Sequence, residues 1–179
     1  VRSSAASDVY KRQYQLRVAH TGTAAAELIR TVTWKGQTIE IAKHVRLDDT
    51  GGAAGQLEIE ARLDPVPAAC RPGLEMVLNF LAPTAPDRAI IFAGERQPLS
   101  FEGELGPGSL YLEDGWRGVR VILDAPGASG WWITPIFTVS QCEAGFEKVY
   151  QGSAILAHWP SGSVEMCVQL KVEALPATP

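Results

Sequence analysis

The chain has 179 residues, of which 46% are hydrophobic and 20% charged, and its formal net charge is −4. A chain of this length suffices for one domain that buries roughly two-thirds of its unfolded surface. The acidic balance argues against a nucleic-acid partner, because such proteins concentrate Lys and Arg on one face. No run approaches the ~20 apolar residues that a membrane helix needs. We therefore predict a soluble globular protein with neither nucleic acid nor membrane as partner.

The N-terminal residues are expected to lie outside the native fold. The chain begins with Val1, and the segment SSAASDVYKRQ, residues 3–13, resembles a translated sequencing-adaptor tail. It has no apolar core of the kind that a signal peptide requires. We therefore expect a non-native tail over residues 1–13, a single domain over residues 14–176, and a native protein that continues upstream.

Three cysteines, Cys70, Cys142 and Cys167, are widely spaced and odd in number. A disulfide-stabilised secreted domain of this size would be denser in cysteine, so reduced thiols and a cytoplasmic location are predicted. Export remains an alternative, because the true N-terminus is expected to lie upstream.

From Tyr14 onward, alternation with a period of two dominates the pattern. A β-rich stretch, residues 27–34, precedes Lys35-Gly36, which predicts a tight hairpin. Two half-buried strands are predicted next, with these residues on their apolar faces: Ile39, Ile41, Val45 and Leu47, then Leu57, Ile59, Ala61 and Leu63. Such one-sided patterns are typical of antiparallel sheets.

Pro- and Gly-rich segments at residues 48–55 and 64–72 are predicted to be loops. The run LEMVLNFL, residues 74–81, is apolar on both faces, which favours a central strand buried on both sides over a short helix. Turns are predicted at residues 106–108, 126–130 and 161–163. The alternation is cleanest from Val164 to Val172, and about ten strands in all indicate an all-β sandwich or barrel.

Motifs for metal, cofactor or nucleophilic chemistry are missing from the sequence. His20, His44 and His158 are far apart, and none has a Cys or carboxylate at ligand spacing. His44 falls on the polar face of an alternating strand, where solvated surface is its simplest role. Neither a phosphate-binding glycine loop nor a GxSxG segment occurs. We therefore predict no metal, no cofactor and no catalytic residue.

Carboxylates and aromatics are the remaining candidates for a site. A turn at Ala144-Gly145 would bring Glu143 and Glu147 together, as glycoside hydrolysis requires of a carboxyl pair, although turn capping and ion pairing explain them more simply. Exposed aromatics stack on sugars beside polar groups that bind hydroxyls. The candidates for sugar or domain-interface contact are Trp131, Trp132 and Trp159, with Glu143, Glu147 and Gln151 as polar partners and Trp116 as a further aromatic.

The two consecutive tryptophans constrain this hypothesis. On a strand, Trp131 and Trp132 point to opposite faces, so one is predicted to enter the core and the other to face solvent or a neighbouring domain. For each tryptophan, a core or interface role is favoured over a sugar platform.

Three segments resemble the C-terminal β-rich domain of the α-amylase/4-α-glucanotransferase group in glycoside hydrolase family 57. They are TVSQCEAGFEKVYQG (138–152), LEMVLNFLAPTAPDRAIIFAG (74–94) and LEDGWRGVRVIL (112–123). Phe137 and Cys142 stand where that family usually has an acidic and a serine-like residue. Polar roles at these two positions are therefore doubtful.

The resemblance implies an antiparallel β-sandwich, a partial supersandwich of the galactose-mutarotase-like type. It further implies that the partner is an N-terminal catalytic barrel of the same protein, missing here, which carries the catalytic Glu and Asp and acts on α-1,4-glucan. This domain would then stabilise the barrel and shape one edge of the glucan cleft. An independent carbohydrate-binding module that contacts α-glucan, and a mutarotase-like epimerase, are the alternatives.

Overall fold

A computed structural model describes residues 14–20, 24–49, 55–142 and 145–175. Within these ranges every strand pairing is antiparallel, and there is no helix that could span a membrane. The strands are β1 (Gln15–His20), β2 (Ala24–Trp34), β3 (Gln37–Asp49), β4 (Gly55–Asp64), β5 (Gly73–Leu78), β6 (Arg88–Phe92), β7 (Glu95–Gln97), β8 (Gly103–Leu105), β9 (Leu110–Asp114), β10 (Val119–Asp124), β11 (Gly130–Cys142), β12 (Gly145–His158) and β13 (Glu165–Ala174). The predicted all-β antiparallel class is confirmed. The predicted tail, residues 1–13, lies outside the described residues.

The strands form two sheets that face each other. The larger has nine strands in the order β1-β2-β3-β4-β13-β10-β9-β6-β7, and the smaller has four in the order β5-β12-β11-β8. Their facing sides bury one hydrophobic core, in which apolar residues of both sheets interdigitate. Its fully buried members include Ile90, Leu110, Leu112, Leu123, Trp131, Ile133, Ile155 and Val168. This is the predicted sandwich.

The first hairpin follows from its two turn residues. Lys35 and Gly36 have φ angles of 49° and 80°, the left-handed conformation that a two-residue type I′ turn requires at both positions. The turn sets the register of β2 against β3, pairing Trp34 with Gln37 and Val32 with Ile39. The predicted hairpin is confirmed.

The alternating runs also form the expected strands. Ile59 and Val45 pair directly across β4 and β3, and Ile59 pairs with Val168 of β13 on its other side. Their side chains therefore share the inner face, while His44 is exposed on the outer face, 3.5 Å from Glu60. Turns or connecting segments occupy residues 65–72, 106–109, 125–129 and 159–164. Residues 50–54 of the other predicted loop lie outside the described residues.

The position predicted for the strand within residues 74–81 was wrong. β5 forms there, but it is the edge strand of the smaller sheet and pairs only with β12 among the described residues. Its burial alternates: Leu74 is buried, whereas Val77 is 51% exposed on the other face. The apolar composition correctly predicted a strand, but whether that strand has one neighbouring strand or two depends on long-range pairing. The described residues form 13 strands, more than the ten or so predicted. The additional strands are β1, β7 and β8, which are short or lie where the alternating pattern of the sequence is weak.

Candidate functional site

The paired strands β11 and β12 extend well beyond the rest of the smaller sheet. They pair from Gly130 and His158 to Cys142 and Gly145. The neighbouring strands stop earlier. The pairing of β5 with β12 ends at Ser153, and the pairing of β8 with β11 ends at Ile133. Residues 136–142 and 145–152, called the ribbon here, therefore project as a two-stranded extension. Such a ribbon has few contacts of its own and is marginally stable alone.

One face of the ribbon continues the inner, core-facing side of the sheet. Tyr150 is buried and packs edge-on against Phe137, with 5.8 Å between ring centroids. Lys148 Nζ lies 4.0 Å from the centroid of the Phe137 ring. Further out, Val139 is 72% exposed and Phe146 81% exposed. The apolar face therefore leaves the core and becomes uncovered towards the tip.

A buried hydrogen-bond pair anchors the base of the ribbon. Ser153 Oγ donates to the Leu99 carbonyl at 2.8 Å and accepts from the Tyr150 hydroxyl at 2.6 Å. Burial raises the pKa of Tyr150, and the hydrogen bond with Ser153 only partly offsets this rise. Both groups stay neutral, so their role is to hold β12 against the loop before β8.

The opposite face of the ribbon is polar. Gln151 Nε2 donates to Thr138 Oγ1 at 3.1 Å, and Glu147 is exposed opposite Ser140. Glu143 and Ala144 lie outside the described residues, as does any approach of Glu143 to Glu147. The flanking strands of the predicted strand–turn–strand are confirmed, with Gly145 opening β12.

The tryptophans separate into core and surface. Trp131 is 1% exposed, and its Nε1 donates to the Gly108 carbonyl at 2.8 Å. Trp132 is 40% exposed on the outer face, so the prediction that the two point to opposite faces is confirmed. Trp159 is buried, with Nε1 3.1 Å from the Pro126 carbonyl. Trp131 and Trp159 are core residues whose side chains do not reach the surface.

Trp116 is exposed at the β9–β10 turn of the larger sheet. Its ring lies 5.7 Å from the guanidinium carbon of Arg88. Arg88 in turn sits 3.3 Å from the buried carboxylate of Asp114, which also accepts from the Arg117 backbone N–H at 3.0 Å. These contacts fix the turn conformation, so the group is best explained as structural.

Two residues that sequence reasoning did not connect to Trp132 lie beside it. Glu104 of β8 pairs directly with Trp132, and the His158 ring stacks against the indole with 4.9 Å between centroids. His158 Nε2 lies 3.5 Å from Glu104 Oε1. The His158 side chain is 4% exposed, and both ring nitrogens are without a hydrogen-bond partner among the described residues. In the sequence, the only local signal for the position of His158 was the alternation of its strand, which places its side chain on the opposite face from Ala157.

The predicted polar partners are not brought to Trp132. Gln151 bonds to Thr138, which is six residues along β11 from Trp132, or roughly 20 Å at the usual strand rise. Glu147 is further along the same ribbon. The surface around Trp132 is instead a half-exposed indole beside one exposed carboxylate, Glu104. That combination can stack on an apolar ring face and accept hydrogen bonds from hydroxyls.

In the described ranges, no group of three His, Cys, Asp or Glu side chains could hold a metal ion. Cys167 of β13 pairs directly with Glu60 of β4, and burial raises the pKa of its thiol, with Glu58 and Glu60 adding to the rise. A thiol kept neutral in this way is a poor nucleophile.

Comparisons with known proteins agree with the fold and with the segments quoted above. Residues 1–172 match the family described as alpha-amylase/4-alpha-glucanotransferase, C-terminal. Over 91 residues the chain is 36% identical to alpha-amylase 1 of Dictyoglomus thermophilum, covering 47% of this chain and 12% of that protein.

Solved structures show the same fold. The 4-alpha-glucanotransferase of Thermococcus litoralis aligns with a TM-score of 0.57 and 16% identity, covering 90% of this chain and 22% of that one. The Slr1438 protein of Synechocystis sp. PCC 6803 aligns with a TM-score of 0.54 and 10% identity, over 90% of this chain and 66% of that one. The chain thus spans a small part of the amylase and the glucanotransferase, and it belongs to the family of alpha-amylase/4-alpha-glucanotransferase C-terminal domains.

Proposed function

We propose that this domain serves an α-1,4-glucan-processing enzyme, an α-amylase or a 4-α-glucanotransferase, without itself being catalytic. Its task is to stabilise an N-terminal catalytic barrel of the same protein and to shape one edge of the glucan cleft. The relatives that it matches, an alpha-amylase and a 4-alpha-glucanotransferase, are much longer than this chain. We also predict a cytoplasmic location, since Cys70 and Cys167 are free thiols of the kind that reducing compartments maintain.

The observation that carries this proposal is the apolar face of the ribbon. Val139 and Phe146 are 72% and 81% exposed, although they continue the face that buries Tyr150 and Trp131. Burying such side chains contributes roughly 1.5–3 kcal/mol each. A catalytic domain packed on this face would extend the core and support a ribbon that is weak by itself.

Serine variants in the longer enzyme test this docking, and a valine elsewhere on the surface provides the matched control. Val139→Ser and Phe146→Ser are expected to shorten the half-life of glucan-cleaving activity at elevated temperature by about tenfold, because each removes a contact worth ~1.4 kcal/mol or more. Val164→Ser is the control, since Val164 is 45% exposed elsewhere. Equal half-lives for Val139→Ser, Val164→Ser and the unaltered enzyme would contradict docking through the ribbon.

A second candidate function, carbohydrate contact, rests on Trp132. Its indole is 40% exposed next to Glu104, whose carboxylate lies beside His158. A glucan ring stacked on Trp132 would present hydroxyls to Glu104, with His158 limiting the motion of that carboxylate. This geometry supports two forms of the second candidate, an independent carbohydrate-binding module and a cleft-edge contact in the larger enzyme.

Calorimetry with maltoheptaose tests whether Trp132 binds sugar. Trp132→Ala is expected to reduce affinity at least about tenfold, as loss of an aromatic stacking contact typically does, whereas Trp116→Ala should leave it unchanged. No heat at millimolar sugar would count against a binding module. Mutarotation of glucose above the water rate would instead support the epimerase alternative. The His158 side chain argues against that alternative, because it is buried and poorly accessible to a substrate.

A further inference from the structure

Most of the tryptophan and tyrosine rings that reach the surface of the described residues lie beside a basic side chain. Five such rings are exposed or half-buried, and four of them have a lysine or arginine close to the ring centroid. Such cation–π contacts are attractive. Trp132 is the fifth ring, and none of the contacts found in the described ranges involves it. The four occupied rings are Trp34 (Lys35 at 4.5 Å), Tyr14 (Lys43 at 4.7 Å and Arg30 at 5.8 Å), Tyr111 (Arg120 at 5.7 Å) and Trp116 (Arg88 at 5.7 Å).

In two of these groups, one guanidinium contacts a ring and a carboxylate together. The groups are Tyr111–Arg120–Glu113, with 2.6 Å between Nη2 and Oε1, and Trp116–Arg88–Asp114, with 3.3 Å between Nε and Oδ1. Trp132 also has a carboxylate beside it, because Glu104 pairs directly with it across β11 and β8. Side chains at such positions have Cβ atoms about 5 Å apart. The ring and the carboxylate are therefore in place at Trp132, and a guanidinium would be the third member.

The smaller sheet supplies no basic residue for this position. Strands β5 and β8, with residues 130–136 of β11 and 152–158 of β12, contain no lysine or arginine. The two formal charges in these segments are both negative, and they lie at opposite ends of one row across the sheet, Glu75–Leu156–Trp132–Glu104. A face whose fixed charges have one sign attracts ligands of the opposite sign.

The buried ring of His158 holds the two groups in position. It packs against the Trp132 indole with 4.9 Å between centroids, and its Nε2 lies 3.5 Å from Glu104 Oε1. That distance is too long for a strong hydrogen bond, so the carboxylate keeps its capacity to accept from a ligand. The His158 side chain is 4% exposed, and the indole is open to solvent on its remaining surface. Groups held in place before binding lose little conformational freedom when a ligand arrives.

We propose that Trp132 and Glu104 form a receptor for an arginine side chain of a separate protein partner. The guanidinium stacks on the indole and donates two hydrogen bonds to the carboxylate, a geometry that its planar fork permits and a lysine ammonium does not. Trp132 lies on the outer face of the sheet, whereas the apolar face of the ribbon continues the inner one. A catalytic domain docked on the ribbon therefore leaves this site to another partner. The inference goes beyond the proposed function and gives the indole an occupant other than glucan.

An NMR titration of the ¹⁵N-labelled chain tests the proposal, with the indole N–H signal of Trp132 as the readout. Loss of one signal in Trp132→Phe assigns it. The probe is the tripeptide glycyl-arginyl-glycine, blocked at both ends, and its matched control carries citrulline, which has nearly the same shape without the charge. The arginine peptide should bind at least about tenfold more tightly. Equal affinities, or no saturable shift with the arginine peptide at tens of millimolar, would overturn the proposal.

A pair of glutamate variants tests the role of the carboxylate. Glu104→Gln should weaken binding of the arginine peptide at least about fivefold, because it removes the charge-assisted hydrogen bonds. Glu165→Gln makes the same change in net charge at an exposed position of the larger sheet, and it should leave the affinity unchanged. Equal losses in the two variants would mean that overall charge, and not this site, attracts the peptide, and the proposal would fail.

Other occupants give different results in the same titration. Free L-arginine should bind more weakly than the peptide, because Glu104 repels its carboxylate; tighter binding would point to a small-molecule ligand and contradict a protein partner. A shift with maltoheptaose but not with the arginine peptide would assign the indole to glucan. A Trp132 signal that moves when the chain alone is diluted would identify a second copy as the occupant, against the proposal. None of these readouts uses the activity of the longer enzyme, so failure here is distinct from failure of docking through the ribbon.

Discussion

Glu113 accepts hydrogen bonds from Arg120 through a single carboxylate oxygen, with Nε and Nη2 of the guanidinium 3.0 and 2.6 Å from Oε1. Its other oxygen accepts from Arg96 Nη1 at 2.9 Å. Arg120 also reaches Glu173 at 3.3 Å, so the network joins β7, β9, β10 and β13 on the outer face of the larger sheet. The Glu113 side chain is only 12% exposed, which limits screening by solvent.

Removing this charge should destabilise the fold measurably. Glu113→Gln keeps the shape but replaces the charge-assisted hydrogen bonds, and a loss of about 1–3 kcal/mol in the free energy of unfolding is expected. Glu173→Gln, at a more exposed site with one long hydrogen bond, should cost less than about 1 kcal/mol. Urea unfolding at neutral pH measures both, and a larger effect for Glu173→Gln would contradict the ranking.

The same network predicts how stability depends on pH. Burial raises the pKa of Glu113, but hydrogen bonds and charges from Arg120 and Arg96 outweigh it, so the net pKa is lower than that of an ordinary glutamate. A pKa lowered by folding contributes stability that is complete above the unfolded value and is lost as pH falls through the folded value. The difference in unfolding free energy between wild type and Glu113→Gln should thus be constant from pH 7 to about 5 and shrink below about 4.5. A difference that grows on acidification would refute the assignment.

The buried Ser153 hydroxyl should be worth more than its size suggests. Ser153→Ala leaves both the Tyr150 hydroxyl and the Leu99 carbonyl without their partner, so about 1–3 kcal/mol should be lost. Tyr150→Phe removes one donor but leaves the Ser153–Leu99 bond intact, and about 1 kcal/mol is expected. A double-mutant cycle by urea unfolding should show that the two losses are not additive. Strict additivity would mean that the two hydroxyls do not interact.

Close backbone approach at the start of β11 predicts sensitivity at one glycine. A Cβ at Gly130 would overlap the carbonyl oxygen of Leu105 on β8, so the two strands would have to separate. Gly130→Ala should therefore lower stability by about 2 kcal/mol or more. Gly106→Ala is the control, because nothing lies within 4 Å of a Cβ there. Thermal unfolding compares the two, and a tolerated Gly130→Ala would show that β8 can shift.

Local chemistry made part of this fold predictable. The Lys35-Gly36 turn needs two residues in the left-handed region, and the split between Trp131 and Trp132 follows from the pleat of one strand. Such features depend on residues close together in sequence. Their physical cause is local, so they can be predicted without knowing which strand pairs with them.

Long-range pairing accounts for what was missed. Glu104 meets Trp132 because β8 pairs with β11, and His158 stacks there because β12 returns alongside, neither of which a local pattern encodes. The edge position of β5 was misjudged for the same reason. Apolar residues on both faces of β5 predict burial of the strand. Which strands lie beside it depends on pairing between segments that are distant in the sequence.

The division of the tryptophans between interior and surface gives the protein two sets of optical reporters. Trp131 and Trp159 are shielded from a dissolved quencher such as iodide, whereas Trp34, Trp116 and Trp132 are accessible to it. Emission that iodide cannot quench therefore follows the integrity of the interior, and the quenchable emission follows occupancy of the surface. A sugar or a neighbouring domain that covers Trp132 would reduce the quenchable fraction without altering the shielded one, so a single titration can distinguish binding from unfolding.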